Sequence, residues 1–111
     1  MHEMSITQGI IDICVQHAGG HRVLSLEVEI GDLSGVVPDA IEFCFEACSR
    51  GTLLDGARLS IIRIPGQGRC HECGAVTPLA TRLDPCAQCG CYRVAIKAGE
   101  EMRVKEIEID E

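Results

Sequence analysis

Two pairs of cysteines stand where four thiolates could meet on one metal ion. Cys70-His71-Glu72-Cys73-Gly74 and Cys86-Ala87-Gln88-Cys89-Gly90 make the pattern C-x2-C-x12-C-x2-C. That spacing lets two tight knuckles converge on a tetrahedral ion, zinc above all. Each second cysteine precedes a glycine, which suits a backbone of positive φ whose amides turn toward the sulfurs. Four thiolates leave no coordination position open to water or substrate, so the pattern argues for a structural site and against zinc hydrolysis. Iron in a rubredoxin-like site is the competing metal, although such a module ordinarily packs aromatics around the iron and here only Tyr92 is available. Cys91 places a fifth thiol beside the site; four donors suffice, so it reads as a partly exposed thiol rather than a ligand. His71, inside the first knuckle, could exchange with a thiolate as pH falls.

A second constellation lies at the N-terminus, Met1-His2-Glu3-Met4. A free α-amino group, the amide nitrogen of residue 2 and the His2 imidazole can close adjacent chelate rings, and Glu3 can add its carboxylate or its own amide. Planar nitrogen donors suit Ni(II) or Cu(II), whereas tetrahedral thiolates suit zinc, so the two sites differ in preference. Taken alone an N-terminal Met-His is weak evidence, and a solvated histidine explains it as well.

The elements that must hold these residues follow from periodicity. Ile6, Ile10, Ile13 and Cys14 fall on one helix face, Ser5 and Gln8 match a capping box, and Gly19-Gly20 ends the helix, leaving Met1 to Met4 as a free tail. Leu24, Leu26, Val28 and Ile30 alternate with polar residues in the period of a half-buried strand. Pro38 and Asp39 open a second helix with a stripe of Ile41, Cys44, Phe45 and Cys48, stopped by Gly51. Residues 57–64 read as a strand buried on both faces, and 102–110 as a last strand whose apolar phase changes near Lys105 and Glu106, the mark of a bulge. The fold class expected is α+β. It is a two-layer domain of two helices (about 4–18 and 38–50) on a three-stranded sheet, formed by 1–65 and 100–111. A zinc-ribbon-like module, 66–99, is inserted between the last two strands. The first two strands, joined through a helix, suit a parallel pair; the last two could run antiparallel around the insert.

Composition narrows the function. Ten basic residues against seventeen acidic ones give a net charge of -7, which opposes a phosphate backbone, so nucleic acid is an unfavoured partner. No stretch has the length and apolarity of a membrane span, and the opening residues lack an export signal, so a cytoplasmic location is expected, with reduced or metal-bound thiols. No Ser-His-Asp, Cys-His or phosphate-loop arrangement suggests an enzyme. Cys14, Cys44 and Cys48 lie on apolar helix faces and read as core residues; the Cys44–Cys48 pair has no further ligand nearby in sequence.

The order of these features, with Met1-His2-Glu3-Met4-Ser5 at the start, Glu29-Ile30-Gly31 in the middle, two cysteine knuckles and a closing Ile107-Glu108-Ile109, resembles the HypA/HybF family over essentially the whole chain. The resemblance implies a nickel metallochaperone for maturation of nickel-iron hydrogenase. Its partners would be a HypB-type GTPase and the hydrogenase large-subunit precursor, and some members also serve urease. It carries the nickel site onto Met1, through its amine, His2 and Glu3, and the zinc site onto Cys70, Cys73, Cys86 and Cys89. A homodimer is compatible with these features. The alternative is a zinc-ribbon adaptor whose protein contacts are its whole function.

Overall fold

The computed structural model describes residues 2–111. Two helices, α1 (Glu3–Ala18) and α2 (Pro38–Ser49), accompany six strands: β1 (Val23–Gly31), β2 (Arg58–Ile64), β3 (Gly66–Cys70), β4 (Val76–Leu79), β5 (Val94–Ala98) and β6 (Met102–Ile109). The first sheet has the order β2-β1-β6 and the second β4-β3-β5.

β1 is the centre of the first sheet because it is the strand with the most apolar side chains to hide. Val23, Leu26, Val28 and Ile30 are all buried there. Asp110 N donates to Arg22 O at 2.8 Å and Gly31 N donates to Glu101 O at 2.7 Å, so β6 runs antiparallel to β1. On the other side Val23 N donates to Leu53 O and Asp32 N to Ile64 O, each at 2.9 Å, so β2 runs parallel to β1, as the helical crossover requires. β6 thus pairs with β1 and not with β2. The outer position of β2 also corrects its expected burial: none of its residues is fully buried, because an edge strand has only one neighbour to cover it. In β6 the exposed pair Lys105–Glu106 marks the change of phase expected there.

The helix faces are rotated from the expected ones. α1 buries Thr7, Ile10, Ile11, Cys14 and Ala18, while Ile13 is 45% exposed; α2 buries Ile41, Phe45 and Ser49 and leaves Cys44 and Cys48 at the margin. α1 packs on α2. Gly19 at φ 61° caps α1 as expected. The Ser5–Gln8 capping box does not form: Gln8 turns to Asp12, and the helix begins earlier, at Glu3, a carboxylate at the positive end of the helix dipole. Glu3 and Met4 therefore lie in the first turn rather than in a free tail.

The insert, which has no apolar period in sequence, is a three-stranded antiparallel sheet. β3 pairs with β4 (Gly66↔Leu79 to Arg69↔Val76) and with β5 (Gln67↔Ala98 to Cys70↔Val94), with a register irregularity between Gln67 and Gly68. β3 buries Gly66, Gly68 and Cys70 on its inner face, so the alternation is present but written in glycine. A Cβ on Gly66 would lie 2.2 Å from Leu79 O, and one on Gly68 2.4 Å from a Val94 methyl. Gly31 is similar: its Cβ would meet Gly99 O at 1.9 Å. Backbone itself is the packing material here.

Two compact units result. One comprises Met1–Glu29, Val36–Ile62 and Arg103–Glu111; the other comprises Ile30–Gly35 and Arg63–Met102.

Candidate metal centres

The end of β3 delivers Cys70, and the turn into β4 delivers Cys73; the loop between β4 and β5 delivers Cys86 and Cys89. Their four Sγ atoms lie within 4.8 Å of one another. Cys70 and Cys89 are 3.5 Å apart, and Cys73 and Cys86 3.7 Å. A tetrahedral ion with Zn–S bonds of about 2.3 Å places its sulfurs about 3.8 Å apart, so the donor set and its spacing fit such an ion.

Each knuckle is built the same way. Gly74 N donates to Cys70 O (3.0 Å) and Gly90 N to Cys86 O (2.9 Å), and both glycines take positive φ, 73° and 77°, where a side chain would be strained. Within the turns Glu72 N points to Cys70 Sγ and Gln88 N to Cys86 Sγ, both at 3.4 Å. Buried Thr77 accepts the Ala87 amide at 3.0 Å and so ties the second knuckle to β4.

These amides divide the thiols into two kinds. The backbone amide of Cys73, then that of Glu72, hold the Cys70 thiol down at about 6 against the effect of burial; those of Cys89 and Gln88 likewise lower Cys86. At Cys89 the amide of Cys91 pulls downward, but hydrogen bonding with Cys70, burial and the other thiols outweigh it and push the group up to about 12. Cys73 is also raised: the Ala75 amide opposes, and burial and the Cys86 thiol prevail. The amides thus favour the charged form at Cys70 and Cys86, and the crowding of adjacent sulfurs favours the protonated form at Cys73 and Cys89.

At the other end of the chain, Met1 lies outside the described residues. His2 is the exposed N-cap of α1, its carbonyl accepting the Ile6 amide at 3.0 Å. Amides in the first turn of a helix have no intrahelical partner, so the nitrogens beside His2 and Glu3 are not consumed by α1.

The HypA family sequence model, described as "Hydrogenase/urease nickel incorporation, metallochaperone, hypA", matches residues 1–109. The chain belongs to the HypA family. It is 61% identical over 110 residues to the hydrogenase maturation factor HypA of Geobacter metallireducens, covering 99% of this chain and 100% of that one. The Geobacter sulfurreducens protein of the same name is 58% identical with the same coverage. The solution structure of the Ni metallochaperone HypA from Helicobacter pylori superimposes with a TM-score of 0.69 at 29% identity, covering 98% and 97% of the two chains.

Within this HypA-family chain the remaining sequence candidates separate. Cys91 stands outside the four-sulfur group; its Sγ accepts the Arg93 amide at 3.3 Å, and its carbonyl receives the Cys86 amide at 2.8 Å. His71 is exposed and is not in the group either; its amide donates to Arg93 O at 2.9 Å. Tyr92 is 75% exposed and does not shield the sulfurs. Of the three helix cysteines, Cys14 alone is core: it is 1% exposed, and burial pushes its thiol up to about 11. Cys48 instead donates to Met4 Sδ at 3.1 Å, a contact the sequence reading missed because the two residues are far apart in the chain. No described helix is long and apolar enough to cross a membrane.

Proposed function

We propose that this chain is a nickel metallochaperone that binds Ni(II) through the Met1 amine, His2 and Glu3 and delivers it for maturation of nickel-iron hydrogenase. In this reading a HypB-type GTPase and the hydrogenase large-subunit precursor are its partners, the location is cytoplasmic, and the chain has no catalytic role. The match to the nickel-incorporation family over residues 1–109, carrying Met1-His2-Glu3 at its first positions, is the observation that supports it most. The exposure of His2 and the unpaired amides of the first helical turn suit a shallow chelate partly made of backbone, from which ligands exchange quickly with a recipient.

Residues 66–99 serve as the zinc module, with Cys70, Cys73, Cys86 and Cys89 as ligands, beside a nickel-binding domain of 1–65 and 100–111. Cys70 and Cys86, already favoured as thiolates by their amides, would be the first sulfurs to ligate, and binding would draw the protons from Cys73 and Cys89. Zinc supplies fixed tetrahedral charge there and no redox chemistry. The exposed Tyr92 leaves the sulfurs without the aromatic cover expected around a rubredoxin-type iron.

The test is a Ni(II) titration of zinc-loaded, tag-free protein beside a version with one residue added before Met1, which keeps His2 but displaces the amine. Specific binding in the first and its loss in the second is the expected result. Equal binding in both moves nickel elsewhere, and no specific binding in either leaves a zinc-bearing adaptor.

A further inference from the structure

The first turn of α1 and the last turns of α2 bring Met4 into contact with Cys48, and the metal chemistry described above uses neither these two sulfurs nor that of nearby Cys44. Cys48 Sγ donates to Met4 Sδ at 3.1 Å across the helix pair. Cys44 lies one turn before Cys48 on α2, at the spacing that puts two side chains on the same helix face. None of the three is sequestered: Met4 is 57% exposed, and Cys44 and Cys48 are only partly covered. In sequence the Cys44–Cys48 pair lacks a further donor; the tertiary fold supplies one in Met4.

We propose that Met4, Cys44 and Cys48 form a third metal site, selective for a soft monovalent d10 ion, Cu(I). Thiolate and thioether donors without hard partners select Cu(I), which is satisfied by two or three sulfurs. Zinc and nickel are disfavoured by the same set. Among the described residues no imidazole or carboxylate joins Cys44 and Cys48 in a group of three potential ligands, so a four-coordinate borderline ion would lack donors. On binding, each coordinating thiol releases its proton to solvent and forms a Cu–S bond, the thioether adds a lone pair, and copper stays Cu(I). The site requires neither the Met1 amine nor His2 and so stands independently of the nickel reading.

The test is an anaerobic titration of the full-length, zinc-loaded protein with Cu(I), supplied as its acetonitrile complex against a chromophoric Cu(I) chelator. Ultraviolet thiolate-to-copper absorption reports the bond, and a zinc dye reports any displacement at the tetrathiolate cluster. The first equivalent is expected to bind without releasing zinc. Affinity should fall roughly 100-fold in Cys48→Ser and about tenfold or more in Cys44→Ser and Met4→Leu, while His2→Ala binds as the parent does. Displacement of zinc by the first equivalent overturns the proposal, and so does parental affinity in any of the three sulfur variants. Loss in His2→Ala would place copper on the N-terminal chelate and overturns it equally. Met4→Leu alters an exposed side chain of similar volume, so its helical circular dichroism should be unchanged and its binding result stands even where a cysteine variant folds poorly.

Discussion

The helical unit and the cysteine module solve the problem of a small interior by different means. The first buries branched and aromatic side chains, with Ile11, Leu26, Ile41 and Leu54 each at 1% exposure or less. The second has few large side chains to bury; its strands approach through Gly66 and Gly68, and its buried sulfurs belong to Cys70 and Cys86. Apolar burial at roughly 25 cal/mol per Å² can hold the first unit, but a short segment without such a core has to draw its ordering free energy from metal ligation. A metal on the four cysteines would be the staple that lets a chain of 111 residues carry two units.

Breaking the staple should give the largest effect. Structural zinc contributes on the order of 10 kcal/mol in small metallo-modules, so chelation, or Cys86→Ser, is expected to collapse amide dispersion for residues 66–99 in a 1H–15N spectrum. The resonances of α1 and α2 should persist. Ile11→Ala should do the reverse: it removes a fully buried side chain at a cost of about 2–5 kcal/mol, read from the denaturant midpoint, while zinc stoichiometry stays at one. Gly68→Ala inserts a methyl 2.4 Å from Val94 Cγ1 and should destabilise the module by about 1–3 kcal/mol, seen as earlier zinc loss on heating.

The smallest effect concerns charge in the first unit. Hydrogen bonding with Glu106 first, then burial and repulsion from Glu106, raise the Glu27 carboxyl above its ordinary 4.5. A group with a raised folded-state value stabilises fully below its unfolded value, and that contribution is lost as pH rises through the folded one. Melting temperature should thus fall as pH climbs above 4.5, and Glu27→Gln should flatten that slope and leave the protein slightly more stable at neutral pH.

Much of this architecture is legible in residue order. Strand β1, both helices and the knuckle geometry follow from local patterns that tertiary contacts only reinforce, such as the positive φ of Gly74 and Gly90 after each cysteine pair. The insert was harder to read. Strand β3 alternates glycine with polar residues, and hydrophobic periodicity cannot register an inward position that has no side chain. The helix faces show a similar limit of local pattern: Cys44 and Ile13 are apolar, but composition alone does not say which apolar stripe meets the neighbouring element.

By itself, then, the sequence determined the two helices, strands β1, β2 and β6, the paired cysteines, the net negative charge and the family, because each depends on residue type and short-range spacing. Tertiary structure alone decided that β1 lies between β2 and β6 and that Met4 meets Cys48. Those are long-range choices, set by which surfaces can be buried together and by how closely two backbones can approach, and no local pattern encodes them.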